Sequence, residues 1–230
     1  MTSLHCILAE WQIVRARLLR SRLGVWLLLL AAGFAWLAAG AARDPLLPLA
    51  LRTGMLSAIL CVAFSAGSAT DRAALALTLS HPTTPLAVAT GRWLAATVAA
   101  GLVTIAATFA VAALRGAGPG DFLRAAAAGA GAAGAAAGCA LLIVWIAGNA
   151  PVGAFFFFIA VLSVLSPRGL EFLTSSSVIR GLGSAVLTIA PALWRYRGLA
   201  FGDGGAWLHA LAWSAAGVLL GAAVLARRRG

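Results

Sequence analysis

No lysine occurs anywhere in the 230 residues; all 17 basic residues are arginine, set against 6 acidic ones. A Gly-x-x-x-x-Gly-Lys-Ser/Thr phosphate loop needs an ammonium group to reach the β- and γ-phosphates, so this chain cannot supply one. A lysine Schiff base is excluded for the same reason. The chain by itself is therefore not read as an enzyme that burns ATP. Acids are scarce as well as few. Glu10, Asp44, Asp71, Asp121, Glu171 and Asp203 all fall at the ends of apolar runs or between them. An ionisable group near the bilayer centre is the usual mark of a proton or ion path, so a proton-coupled carrier is disfavoured. The three cysteines, Cys6, Cys61 and Cys139, are scattered and show no CxxC spacing, and the histidines are only His5, His81 and His209. Neither a disulfide framework nor a metal-ligand cluster is expected, and no cofactor or metal is assigned to this chain.

What fills the sequence is apolar. Hydrophobic residues make up 62% and charged residues 10%, and the mean hydropathy is +0.99. A soluble domain of this size needs far more polar surface. Runs of about 18 or more apolar residues recur, each long enough to cross a bilayer. The formal net charge of +11 would suggest nucleic acid in a soluble protein. Here the arginines stand singly between apolar runs or cluster at the ends, a placement that suits lipid headgroups and membrane orientation, so nucleic acid is not expected as a partner. Residues 1–22 hold Glu10 and four arginines before the first long run, which is not the layout of a cleavable signal.

The expected architecture is all-α: a polytopic bundle of six transmembrane helices over residues 23–230, preceded by an N-terminal amphipathic interfacial helix over residues 1–22. In that helix Leu4, Leu8, Trp11, Val14 and Leu18 share one face, Glu10, Arg17 and Arg20 lie off it, and Arg15 sits on its border. The spans are expected at about 23–42, 49–69, 93–114, 122–147, 152–165 and 206–226, with Arg92 and Trp93 opening the third. The segment Val178–Trp194 is apolar but carries Arg180 and is broken by Pro191. Arginines crowd both ends of the chain, and basic ends prefer the cytoplasm, which requires an even number of spans. Val178–Trp194 is therefore read as a re-entrant or outer helix before the last span. The localisation expected is the cell (inner) membrane with both termini cytoplasmic.

Three local features stand out. The fourth span, Ala125–Ala140, is nearly all alanine and glycine and includes Gly134-x-x-x-Gly138. Small residues let helix backbones approach closely in lipid, so Gly134 and Gly138 mark a tight contact within the monomer or between monomers. The run Phe155, Phe156, Phe157 and Phe158 either lines an apolar path or faces lipid and neighbouring helices. Ser184 beside Gly183, with His209 in the last span, is the one nucleophile–base pairing to consider, and nothing in the spacing brings the two together.

The most informative stretch is Asp71 to Trp93, reading DRAALALTLSHPTTPLAVATGRW. A charged pair is followed by leucines at 75, 77 and 79, a proline-rich break and the next span, which describes a short helix at the membrane surface. It resembles the segment joining the second and third spans of ABC-2 type transporter permeases. Asp71-Arg72 stands where that family has a charged pair; Leu75, Leu77 and Leu79 match its leucines, Pro82 its proline, and Gly91-Arg92 its Gly-Lys. Ala73-Ala74-Leu75-Ala76 stands where the family has Gly-Thr-Leu-Glu. The layout of interfacial helix, six spans, long outer segment and arginine-rich tail is similar across the whole chain.

The resemblance implies the permease subunit of an ATP-driven transporter. Separate ABC ATPase subunits, carrying the ATP and magnesium, would meet Asp71, Arg72, Leu75, Leu77, Leu79 and Pro82 together with the N-terminal helix. Two copies, or one copy and a paralogue, would pair. Without a charge in mid-membrane, the cargo expected is hydrophobic or amphiphilic, exported by the pair; haem-exporter membrane subunits share the layout. The alternative is a membrane scaffold or assembly subunit that transports nothing.

Overall fold

The computed structural model describes residues 3–20, 22–41, 43–65, 84–172, 174 and 176–227. Every regular element among them is helical. In chain order these are α1 (Ser3–Arg20), α2 (Leu23–Ala39), α3 (Leu46–Ser65), α4 (Pro85–Arg115), α5 (Pro119–Ala147), α6 (Ala150–Phe157), α7 (Ser177–Ile189), α8 (Leu193–Tyr196) and α9 (Gly204–Arg227). A π turn, Phe158–Leu162, continues α6, and short 3-10 turns cover Pro167–Phe172 and Arg197–Phe201.

The helix ends follow from local chemistry. Thr84 is in an extended conformation and its hydroxyl accepts the Ala87 N–H at 3.2 Å, with Pro85 in the first turn, where its missing N–H costs nothing. At the other end of α4, Gly116 adopts φ 64°, and the Ala117 N–H returns to the Ala112 carbonyl at 3.0 Å. Only a residue without Cβ enters that left-handed cap freely. Pro119 opens α5, and Asp121 in its first turn pairs with Arg124 at 2.9 Å. The Asp44 carboxylate accepts the Leu46 N–H at the start of α3.

Among the described residues, four helices are long and apolar enough to cross a membrane: α3, α4, α5 and α9. A fifth crossing is formed if α7 and α8, bent by 45° at the Pro191 break, count as one span. The apolar helices Gly24–Ala39 and Ala150–Leu162 are shorter. At about 1.5 Å per residue the second of these extends about 20 Å, against a hydrocarbon core of about 30 Å. The fifth span expected at 152–165 is thus a short helix that ends in a π turn, where the buried Ser163 hydroxyl bonds the Ile159 carbonyl at 2.6 Å. The third helix begins eight residues earlier than expected, because Thr84-Pro85 supplies a cap and a first turn. Arg92 and Trp93 consequently lie two turns inside α4 rather than at its mouth.

The directions of the helices can be read from residue pairs. Gly131 meets Trp207, Gly138 meets Trp213 and Gly217, and Trp145 meets Gly221, so α5 and α9 run parallel. Phe109 packs edge-on to Phe122 at 5.9 Å while Arg92 lies over Trp145, so α4 and α5 are antiparallel. Arg115, at the end of α4, donates to the Ala39 carbonyl at 2.7 Å and to the Ala41 carbonyl, which ties the end of α2 to the same place. One end of the bundle, the near end, therefore holds the start of α2, Ser65 and Thr84, the end of α5 and the end of α9. The far end holds the α2–α3 and α4–α5 turns and Asp203.

The core is built on α5. Ala128, Ala132, Ala135 and Ala136 are fully buried, and α3 and α5 form the inner pair while α4 and α9 lie outside them. A Cβ on Gly129 would sit 2.6 Å from Thr104 Cγ2 and 2.7 Å from the Ala50 carbonyl oxygen. Gly54 presses on the Gly129 carbonyl, and Gly138 presses on Trp213 and Gly217. These approaches are closer than any side chain permits, which is the packing small residues allow in lipid. Outward, Trp36 is 81% and Leu102 63% exposed, a periphery suited to acyl chains.

Two variants test this packing. Gly138→Val should lower the thermal unfolding midpoint of detergent-purified protein sharply or abolish folding, since overpacking costs about 1–3 kcal/mol or more where backbone is the obstacle. Gly153→Ala, where an added Cβ meets nothing within 4 Å, should not lower the midpoint and should raise it slightly, since alanine is the better helix former.

Candidate functional site

Asp71, Arg72, Leu75, Leu77, Leu79 and Pro82, expected to meet an ATPase, lie outside the described residues, as does the side chain of Arg17. Their flanks are well placed in the fold: Ser65 ends α3 and Thr84 caps α4, both at the near end. There Arg92, only 5% exposed, holds its guanidinium carbon 5.1 Å from the ring centre of the fully buried Trp145. Gly221 leaves the space this stack needs, since a Cβ there would lie 2.8 Å from Trp145 Cδ1. A desolvated cation over an indole is worth about 2 kcal/mol, enough to pin the start of α4 to the end of α5. In α1, Trp11 is half-buried and Arg15 exposed, and the helix lies against α4.

The remaining expected residues separate. Gly134 and Gly138 both sit at helix crossings within the monomer. The Gly134 carbonyl accepts the Trp93 indole N–H at 2.9 Å, while Gly138 is the contact point with α9. Phe155 belongs to the buried core and stacks on Phe158 at 6.4 Å; Phe156 is half-buried and Phe157 is 59% exposed. The four rings therefore do not share one wall.

The structure brings together a polar cluster at the Pro191 break. A helix leaves its last carbonyls without intrahelical partners, and in an apolar setting each needs a donor. In α7 those carbonyls are met by side chains from the segment beyond the break. The Trp194 indole donates to Leu187 O at 3.0 Å, Arg195 Nη1 to Thr188 O at 2.8 Å, and the Trp213 indole to Ile189 O at 2.8 Å. His209 Nε2 also lies 3.0 Å from Ile189 O, and its Nδ1 lies 3.1 Å from the hydroxyl of the fully buried Tyr196. Both ring nitrogens of His209 are engaged, so neither is left for Ser184. On the helix below, the Ser184 carbonyl accepts the Thr188 hydroxyl.

Sequence reasoning missed Trp194, Tyr196 and Trp213. The available signal was Pro191, which marks a helix end in an apolar segment, followed within about two dozen residues by an unusual density of indole, guanidinium and imidazole donors. The long segment before α9 is thus not a loose connection. It is a broken helix whose free carbonyls are tied to α8 and α9, and the Trp194 N–H also reaches back to Ser163 O at 3.0 Å.

Removing one of these donors without losing ring volume isolates the contribution. Trp213→Phe should destabilise detergent-purified protein by about 1 kcal/mol, seen as a lower thermal midpoint, because a single carbonyl loses a donor. Trp26→Phe, on the exposed face of α2, should leave the midpoint unchanged.

No model of a protein family matches the chain, and none of the curated proteins matches it.

Proposed function

We propose that the chain is the membrane-spanning permease subunit of an ATP-driven exporter of the ABC-2 type, working on a hydrophobic or amphiphilic substrate and powered by separate ATPase subunits. The observation that carries this reading is the Asp71–Trp93 stretch, with its charged pair, leucines, proline and Gly91-Arg92 in the order that family uses. The fold supports it indirectly. The described residues that flank its Asp71–Pro82 part, Ser65 and Thr84, both lie at the near end, where α2 begins and α9 finishes. A partner beneath that end would meet the stretch, α1 and the arginine-rich tail together.

In this reading α2, α3, α4, α5, the α6 segment and α9 are the six spans, and α7–α8 is a re-entrant hairpin on the outer side. The near end is cytoplasmic in the cell membrane. Closure of an ATPase pair pushes on the surface segment. The push passes into α4, whose first turns are clamped to α5 by Arg92 on Trp145. Because α5 touches α3 and α9 through glycine contacts, the inner helices move as one block. The substrate path then lies between two such blocks, one from each copy or from a copy and its paralogue. Cargo with a large apolar part suits walls that carry no carboxylate in mid-span.

Three experiments test the reading. The purified chain should hydrolyse no ATP alone and should co-purify with a P-loop ATPase from native membranes. Replacing Asp71 and Arg72 by alanine should abolish transport and ATPase recruitment while leaving membrane insertion intact. In a cysteine-free background, cysteines placed at Asp71 and at Asp203 should label from opposite sides of the membrane. Labelling of both from one side, or a fully assembled complex without an ATPase, would favour a scaffold and end the transporter reading.

A further inference from the structure

Beyond the Pro191 break the chain leaves an open groove of about 660 Å³ at the far end. Trp194 and Arg195 of α8 form one wall, and Leu208, His209 and Ala212 of α9 form the other, with Asp203 at the mouth. From Asp203 to Ala212 the groove follows α9 for about 14 Å, at 1.5 Å of rise per residue. Its chemistry is divided along that length. The mouth is polar, and the part running down α9 is mostly alanine and leucine.

Arg195 is the unusual group. Its Nη1 donates to the Thr188 carbonyl at 2.8 Å, and its guanidinium carbon stands 5.5 Å from the Trp194 ring centre. Among the described residues no carboxylate lies within 4 Å of it, and the ion pair at that distance is Arg124–Asp121. A guanidinium carries five N–H donors, so most of the fork remains available, and the fork matches the two oxygens of a carboxylate or phosphodiester. The carbonyl bond and the indole hold the fork at the groove, which distinguishes it from a long arginine side chain that wanders among headgroups.

We propose that this groove is a binding site for an amphiphile with a singly charged anionic head, the head on Arg195 and the chain laid along Leu208 and Ala212. Asp203 at the mouth, one oxygen accepting the Gly205 N–H at 2.9 Å, repels a multiply charged head and sets the preference for a single negative charge. Two sources share this chemistry: the phosphodiester of a membrane phospholipid and the carboxylate of a free fatty acid. The site goes beyond the transport reading and does not need it, because it exists in one copy of the chain and involves no nucleotide partner.

The test is a titration of delipidated, detergent-purified full-length protein, followed by native mass spectrometry. The probes are dioleoyl phosphatidylglycerol, oleate and the uncharged monoolein. Phosphatidylglycerol, oleate or both should bind at least about tenfold more tightly than monoolein, the worth of one charge-assisted hydrogen bond. Which of the two binds identifies the source. Arg195→Gln should remove that advantage, and Arg197→Gln, an exposed arginine two residues on and outside the groove, should retain it. Ala212→Trp, which leaves Arg195 and its bond to Thr188 in place but fills the groove, should weaken binding by a similar factor. That variant decides the matter if Arg195→Gln fails to fold. Equal binding of monoolein, undiminished binding by Ala212→Trp, or an equal loss in Arg197→Gln would each overturn the site.

Discussion

Everything in this bundle depends on how closely other helices can approach α5. Within lipid there is little hydrophobic force between helices, so association draws on van der Waals contact and hydrogen bonds at short range. The α5 backbone supplies that by omission: Gly129 meets Ala50 and Thr104, Gly134 admits the Trp93 indole to its carbonyl, and Gly138 meets Trp213 and Gly217. Gly129 serves α3 and α4, Gly134 serves α4, and Gly138 serves α9. One helix therefore binds α3, α4 and α9 at once, and the fully buried alanines between the glycines fill the remaining space without forcing the axes apart. The glycines on the partner helices, Gly54 and Gly217, complete the same contacts from the other side.

The two ends of the bundle solve different problems. At the near end a cation has to be kept inside an apolar setting, and Arg92 is laid on the Trp145 ring in a space that Gly221 keeps open. At the far end the problem is backbone. Pro191 stops α7 within an apolar segment, and its last carbonyls would be costly if unpaired. Trp194, Arg195, Trp213 and His209 meet them. The near end thus couples α4 to α5 close to Ser65 and Thr84, which flank the segment proposed to receive the ATPase. The far end fixes the broken helix and shapes the groove beside Arg195. Both depend on the α5–α9 contact, since Trp145 and Gly221 at one end, and Trp207 and Gly131 towards the other, are held in register by Gly138 against Gly217.

How far this was legible in the sequence varies by element. The helices α3, α4, α5 and α9 were readable because apolar length is a property of the chain alone, and their boundaries moved only by a few residues. The start of α4 moved furthest: the proline-rich stretch reads as a break, yet Thr84-Pro85 is also a cap followed by a permitted first turn. The fifth span was read as a short one ending at Leu165, where the apolar run stops, whereas the regular helix already gives way to a π turn at Phe158. The Gly134 and Gly138 spacing pointed to close packing, but not to which neighbour each glycine would meet. The phenylalanine run gave no hint that its four rings would divide between core and surface.

Composition and hydropathy alone determined that the chain belongs in a membrane, that it is helical, and that it cannot bind nucleotide through a lysine loop. These follow from which atoms are present and how long their apolar runs are, whatever their arrangement. The donor set around the Pro191 break was decided only by tertiary structure. Trp194, Tyr196, His209 and Trp213 are separated by up to about 20 residues, and nothing in their spacing shows that they converge on one helix end. Convergence arises because α9 is drawn against α5 by glycines some distance away, and that packing carries His209 and Trp213 to the carbonyl that α7 leaves free.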